Sequence, residues 1–263
     1  MSDLRVSLVQ TDLFWHQPEA NRQALQKKLS PLKNQTDLII LPEMFTSGFT
    51  VYPEDFSERD DTANWLLQQA RELNAGVTGS IAVAVDNNIA GSIRYVNRLW
   101  FATPQGELFH YDKVHLFRMG DEHRRYQAGL QRKVLKFRHW RILLTICYDL
   151  RFPVFCRNQQ DYDIMICVAN WPEARASHWR TLLQARAIEN QSYVLGVNRV
   201  GCDGQGLGYA GDSMVVGPKG QLLLDQPGEW VQTVTLSLEA LDDYRQHFPV
   251  WQDADTFDLH LNS

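Results

Sequence analysis

Apolar residues gather along the chain in short runs separated by amphipathic stretches. Leu4 to Gln10 is rich in β-branched and apolar side chains and reads as a strand. Pro18 to Leu29 has a proline at its start and Ala20, Leu25 and Leu29 among polar residues, the pattern of a helix. "DLIILPEMF" is a continuous apolar run that stops at Pro42-Glu43 and predicts a buried strand. Asp60 to Asn74 predicts an amphipathic helix, opened by acids, with Trp65, Leu66, Leu67, Ala70 and Leu73 on its inner face. "VTGSIAVAV" and "RYVNRLWFAT" are the next strands, with a turn at Asp86-Asn87-Asn88. "GELFHYDKVHLF" is a strand edge leading into a loop.

The second half repeats the alternation. Arg141 to Ile146 predicts a strand, Phe152 to Asn158 a short helix, "YDIMICVAN" a buried strand and Ser177 to Gln191 a helix. "SYVLGVNRV", "GDSMVVGP" and "EWVQTVTLSL" predict further strands, with turns at Gly204-Gln205-Gly206 and Pro218-Lys219-Gly220. Strands alternating with helices predict an α/β fold. Consecutive strands predict hairpins added to its core. No linker, low-complexity tract or short repeat interrupts the pattern, so residues 1–263 are expected to form one domain. The polar tail from about Trp251 is expected to be loose or to pack on a partner chain.

Composition narrows the class. At 263 residues with 44% hydrophobic and 22% charged positions, the chain can bury a core without disulfides or a metal. A net charge of -5 argues against nucleic acid or an anionic membrane as the main partner. No stretch approaches the roughly 18 apolar residues of a membrane span. The start, "MSDLRVSLVQTD", reads as a first strand and not as a signal peptide. Cys147, Cys156, Cys167 and Cys202 form no C-x-x-C pair and fit free thiols in a reducing cytoplasm. No paired Cys/His spacing supports zinc. Gly204-x-Gly206-x-Gly208 precedes a strand where a dinucleotide loop would precede a helix, so it reads as a turn. No cofactor is expected.

Chemistry concentrates at strand ends, where ligand sites of α/β sheets form. In "RILLTICYDLRFPVF" the apolar run stops on Cys147 and a polar, turning segment follows at once. Glu43 ends the run "LIILP", and Lys113 follows "ELFHYD". Each has a bland reading: a cysteine usually packs as a small hydrophobe, and a lone Glu or Lys is usually a solvated charge. Together they form a usable set. A thiol near pKa 8.5 is mostly protonated at neutral pH and needs a base or a positive field. A carboxylate takes the proton; an ammonium favours the thiolate and then holds the developing oxyanion. A helix start after Cys147 would add backbone N–H dipoles in the same sense.

"LPEMFTSGF", "YDKVHLF" and "CYDLRFP" resemble the three signature segments of the nitrilase superfamily of carbon–nitrogen hydrolases. "NWPEARASHWRTLLQARAIENQSYVLGVNRVG" resembles the region after its nucleophile, and "GYAGDSMVVGPKG" its closing hairpin. The resemblance implies a four-layer α-β-β-α sandwich with a Glu-Lys-Cys triad. Carried over, Cys147 is the nucleophile, Glu43 the general base and Lys113 the oxyanion stabiliser. The backbone N–H of Tyr148 is the second oxyanion donor. A second glutamate on the loop after the lysine matches Glu122, with Gly129 beyond it. The branch most resembled, on "CYDLRFP", "NWP" and overall length, contains the omega-amidases. Those hydrolyse the side-chain amide of 2-oxo acid monoamides such as 2-oxoglutaramate and 2-oxosuccinamate. The nearest alternatives are a nitrilase or an N-carbamoyl amino acid hydrolase; a catalytically silent assembly module is the alternative of another class. The resemblance also implies a homodimer or larger homo-oligomer.

Other residues are weighed against structural roles. Asp149 suits a tight turn by accepting backbone N–H groups. Arg151 either pairs with Asp149 or another buried carboxylate, or reads a substrate carboxylate; Arg175 is a candidate anion partner whose default is a helix-surface or structural pairing. Trp171, at another strand end, is a pocket wall or a core aromatic; Phe117 and Tyr52 are weaker pocket candidates. His115 and His178 default to structural and surface or capping roles, and Arg199 to a structural pairing.

Overall fold

The continuous apolar runs become strands buried on both faces. In the computed structural model, which describes residues 3–55, 61–86 and 93–261, β1 (Leu4–Gln10), β2 (Leu38–Ile40) and β3 (Gly76–Asp86) pair in parallel. β4 (Ile93–Ala102) and β5 (Leu108–Asp112) extend this sheet antiparallel on one side, and the last strand, β14 (Trp230–Leu236), closes the other. Beyond Asp86, the turn expected at 86–88 lies outside the described residues.

The second sheet repeats the plan. β7 (Trp140–Ile146), β8 (Ile164–Ala169) and β9 (Tyr193–Asn198) are parallel. β6 (Lys133–Phe137) pairs with β7; β12 (Met214–Val216) and β13 (Leu222–Asp225) continue beyond β9. A separate hairpin, β10 (Val200–Cys202) with β11 (Gly208–Ala210), follows β9.

Period-two alternation assigns each strand's faces. Val6, Leu8, Leu38 and Ile40 join the core shared with Ile142, Leu144 and Ile166 of the second sheet, while Val9, Ile39 and Leu41 face outward. On that outer face α1 (Pro18–Leu29) and α2 (Asp61–Leu73) lay down Leu25, Leu29, Leu66, Ala70 and Leu73. α5 (Ala176–Asn190) covers the second sheet with Trp179, Leu183 and Ala187, and α6 (Leu238–His247) adds Leu241. The layers are therefore α-β-β-α, as expected. Each fully buried Leu, Ile or Val contributes about 1.5–3 kcal/mol.

Several elements differ from the sequence expectation. The helix expected over Phe152 to Asn158 is only α4 (Pro153–Cys156), preceded by a 3-10 turn at Cys147–Arg151. Phe152 precedes a proline and is extended, and Arg157 is extended again, so no longer helix can form. One short turn carries little of the dipole expected behind Cys147. β6, β13 and α6 are further elements that the sequence reading did not name. A short α3 (Glu122–Arg125) interrupts the loop after β5. In the tail, Leu259 and Leu261 pack against the central core.

Gly129 ties that loop to the sheet. Its N–H donates to the Lys113 carbonyl at 2.8 Å, and a Cβ added to it would stand 2.1 Å from the Asp112 carbonyl oxygen. Gly129→Ala is expected to destabilise the protein by about 1–3 kcal/mol, as overpacking does. A lower midpoint in urea denaturation checks this; an unchanged midpoint would show that the Asp112–Lys113 backbone yields freely.

Candidate active site

Strand ends from the two sheets meet at one place. Glu43 follows β2 and Lys113 follows β5, in the first sheet; Cys147 follows β7 and Asn170 follows β8, in the second. Sharp turns hold them. Met44, next to Glu43, has φ 43°, and Cys147 has φ 47°, both left-handed. Such a conformation costs a non-glycine residue roughly 1–2 kcal/mol and gathers at functional sites. Ser80 holds the first turn, its hydroxyl accepting from Met44 N at 3.0 Å and its carbonyl from Phe45 N at 3.1 Å. Asp149 holds the second, accepting from Ile146 N at 2.9 Å. It also accepts from the Tyr111 hydroxyl at 2.7 Å and from His115 N at 3.0 Å, and lies 2.8 Å from His115 Nδ1. Asp149 and His115 thus join the Cys147 turn to the Lys113 loop, in the structural roles the sequence suggested.

Lys113 is buried between two buried carboxylates. Its Nζ donates to Glu43 Oε1 at 3.0 Å and reaches Glu122 Oε1 at 3.1 Å and Oε2 at 3.0 Å. Asn97 Nδ2 donates to Glu43 Oε1 at 2.8 Å and, longer, to Glu122 Oε1 at 3.4 Å. Backbone N–H groups complete the set, Asn170 to Glu43 Oε2 at 2.8 Å and Phe117 to Glu122 Oε2 at 2.6 Å. Asn170 Nδ2 also donates to the Glu43 carbonyl at 2.6 Å, fastening the base turn to the second sheet.

Electrostatics follow from burial and charge count. Burial disfavours the Lys113 ammonium, but Glu122, Glu43 and Cys147 outweigh it and hold its pKa well above the ordinary lysine value. Burial raises the Glu122 pKa, Lys113 opposes this, and the Glu43 charge adds to it. Burial first and the Glu43 charge second push the Cys147 thiol well up, against Lys113. Lys113 acts on Cys147 in the sense the sequence reading gave it, favouring the thiolate, but burial and Glu43 outweigh it. Tyr148 opens the turn after it, where the first N–H groups of a helix have no acceptor inside the helix.

Cys147 and Lys113 line a cavity of about 430 Å³. Tyr148, Arg151, Trp171, Arg175 and Phe117, all anticipated, line it too. Arg151 makes no carboxylate pair among the described residues: its guanidinium lies 4.8 Å from the Trp171 ring and Nη2 is 3.1 Å from His178 Nδ1. The Arg175 guanidinium lies 5.5 Å from the Phe117 ring. Tyr52 stays outside, facing Arg125, and Arg199 is buried against Asp12. Among the described residues no group of three His, Cys, Asp or Glu side chains could hold a metal.

The sequence reading missed Asn97, the part played by Asn170, and the rim that the β10–β11 hairpin supplies through Asp203, Leu207 and Tyr209. Asn97 shares its strand parity with Leu99 and Phe101, which face the core. A polar residue in that register was the available signal. Asn170 had a similar one, as the polar stop of an all-buried strand.

Known proteins carry the same architecture and length. The carbon-nitrogen hydrolase family pattern matches residues 5–246. The omega-amidase YafV of Escherichia coli (strain K12) is 46% identical over 262 residues, 98% of this chain and 100% of that protein. The 2-oxoglutaramate amidase of Bacillus subtilis (strain 168) is 28% identical over 256 residues, 94% of this chain and 96% of that one. A crystal structure from Xanthomonas campestris, of a CN-hydrolase superfamily protein with an arsenic adduct in its active site, superposes with a TM-score of 0.93. It is 47% identical and covers 98% of this chain and 100% of its own. With the family pattern running from β1 into α6 and the two-sheet sandwich reproduced throughout, the chain belongs to the carbon–nitrogen hydrolase family.

Proposed function

We infer that this carbon–nitrogen hydrolase is an omega-amidase. It hydrolyses the ω-amide of small 2-oxo acid monoamides, 2-oxoglutaramate and 2-oxosuccinamate, to the dicarboxylate and ammonia through an acyl-enzyme on Cys147. The names of the Escherichia coli and Bacillus subtilis relatives support the substrate class. The observation that carries the reading is the polarity of the cavity. Cys147 and Lys113, whose ammonium is held by two carboxylates, line it together with Arg151 and Arg175. An amide group is accepted beside the acidic cluster; a carboxylate is drawn to the guanidiniums.

In this mechanism Cys147 Sγ attacks the amide carbon while its proton passes to Glu43. The oxyanion lies against the Lys113 ammonium and the Tyr148 N–H. As the tetrahedral adduct collapses, Glu43 returns the proton to the departing nitrogen and ammonia leaves. Glu43 then takes a proton from the water that attacks the thioester, and the carboxylic acid departs as Cys147 regains its thiol. Glu122 fixes the ammonium through both of its oxygens. Trp171 and Phe117 back the two arginines by cation–π contact. The reading includes a homodimer in a reducing cytoplasm; the four free thiols support the compartment.

The acyl-enzyme is expected on Cys147 and on no other cysteine. Cys156 and Cys167 are buried, their thiols pushed up by burial, Cys156 to about 12. Intact mass and peptide mapping after a slow substrate locate the adduct. Activity lost in step with a label on Cys202 or Cys156 sinks the assignment.

Lys113→Arg is expected to lower kcat by roughly 10²-fold or more, the scale of losing an oxyanion donor. A planar fork does not fit where a compact ammonium meets three carboxylate oxygens. Near-normal turnover by a folded variant would show that Lys113 supplies only a distant field.

The substrate's far carboxylate is expected to be read by Arg151, Arg175 or both. Replacing the responsible arginine by Met should lower kcat/KM for the acid by about 10- to 150-fold, the worth of a charge-assisted pair. The loss should be small for the methyl ester. An acid with no advantage over its ester in the parent enzyme rejects the substrate class. An advantage that survives both substitutions rejects only the choice of arginines.

A further inference from the structure

The donors to the two buried carboxyls are unequally divided. Each carboxyl has one backbone N–H, from Asn170 for Glu43 and from Phe117 for Glu122. Lys113 leans toward Glu122, meeting both of its oxygens at 3.0–3.1 Å and one oxygen of Glu43 at 3.0 Å. Asn97 is the donor that leans the other way, 2.8 Å from Glu43 against 3.4 Å from Glu122. Its side chain makes no other hydrogen bond among the described residues: the carboxamide oxygen is buried without a partner. Its only side-chain donor group is spent on the carboxyl pair. The amide orientation is fixed by the same contact, since the reversed amide would set an oxygen against an oxygen.

Two carboxylates and one ammonium, all buried, leave an uncompensated negative charge, and such a cluster binds a proton. We propose that Asn97 is a positioning residue that decides where that proton sits: its side-chain N–H, seated on Glu43, keeps Glu43 ionised and ready for the Cys147 proton and places the shared proton on Glu122. The proposal rests on the reading of Glu43 as base. Among the described residues, the other titratable groups that feel the charge of the pair are Cys147 on the turn after β7, Cys167 on β8, Tyr126 after α3 and Tyr209 on β11. Both tyrosines donate elsewhere, Tyr126 to the Thr50 carbonyl and Tyr209 to Asp203, so neither substitutes for Asn97.

Without Asn97 the Lys113 bias stands alone and favours protonated Glu43. The test is the pH dependence of kcat/KM for Asn97→Leu and Asn97→Ser beside the parent. The ionised base is the active form, so activity falls as pH drops through the cluster's acid limb. Loss of a donor to that base moves the limb upward, by about one to two pH units for a charge-assisted hydrogen bond. The rate deficit is therefore expected to be large at pH 6 and to shrink toward pH 9, with Asn97→Ser less affected. A deficit equal at every pH, with the limb unmoved, overturns the proposal in favour of simple scaffolding. A second measurement needs neither substrate nor a folded variant of Asn97. In the parent protein, 13C-carboxyl NMR at pH 7, assigned with Glu122→Gln, is expected to show Glu122 protonated and Glu43 ionised. The reverse assignment overturns the proposal even if the amidase reading holds. Failure to find an amide substrate overturns that reading and leaves this result standing.

Discussion

One ammonium governs the centre of this molecule. Lys113 is 1% exposed, and an ammonium at that depth survives only with partners. Glu43 and Glu122 supply them, and each carboxylate in turn needs donors that the sheets must deliver. Deleting one member of a buried ion pair typically costs 3–5 kcal/mol, because the survivor is left uncompensated. The chain therefore has little freedom in how β2, β4, β5 and the loop through α3 meet. Gly129 lets that loop approach within hydrogen-bond distance of Lys113, and Asn97 N–H and carbonyl groups serve both the carboxyls and the Lys113 backbone.

The same constraint explains why two sheets are used. Glu43 and Lys113 belong to one sheet and Cys147 to the other, so their relative placement depends on contacts across the sandwich. The apolar core sets the separation but is indifferent to small sliding movements. Direction comes from two polar clamps. Asn170 grips the Glu43 turn twice, and Asp149 receives Ile146 from its own sheet and Tyr111 and His115 from the other. With both clamps engaged, the left-handed residues Met44 and Cys147 have no cheap route to relax.

The α/β alternation and the strand ends at Glu43 and Cys147 were legible because strands buried on both faces leave long apolar runs, and a charged or nucleophilic residue that stops such a run stands out. Lys113 follows a half-exposed strand, and the four-layer sandwich came only through the family resemblance. Glu122 was legible only through family resemblance, since its loop has no periodicity. Asn97 was hidden because one polar residue inside a strand looks like noise until its partners are seen. The short turn after Cys147 was overestimated because Pro153 suggests a helix start while the same proline keeps Phe152 out of helical geometry. Arg151 showed the limit of pairing arguments: Asp149 is two residues away, yet its oxygens are already taken by Ile146, Tyr111 and His115.

Charge distribution links this architecture to turnover. The chain carries a net charge of -5, so on the omega-amidase reading an anionic 2-oxo acid monoamide approaches a protein that repels it on average. Arg151 and Arg175 bring positive charge to the cavity that Lys113 also lines. On that omega-amidase reading, the substrate's carboxylate is held there, which turns its neutral amide toward Cys147 and away from competition with Glu43 and Glu122 for Lys113. Hydrolysis then creates a second carboxylate beside two acidic side chains that share a single ammonium. Attraction that oriented the amide is unchanged, but repulsion at the reacting end is new. On the omega-amidase reading, ionised Glu43 repels the new carboxyl group once that group loses its proton, which favours release of the product over its retention.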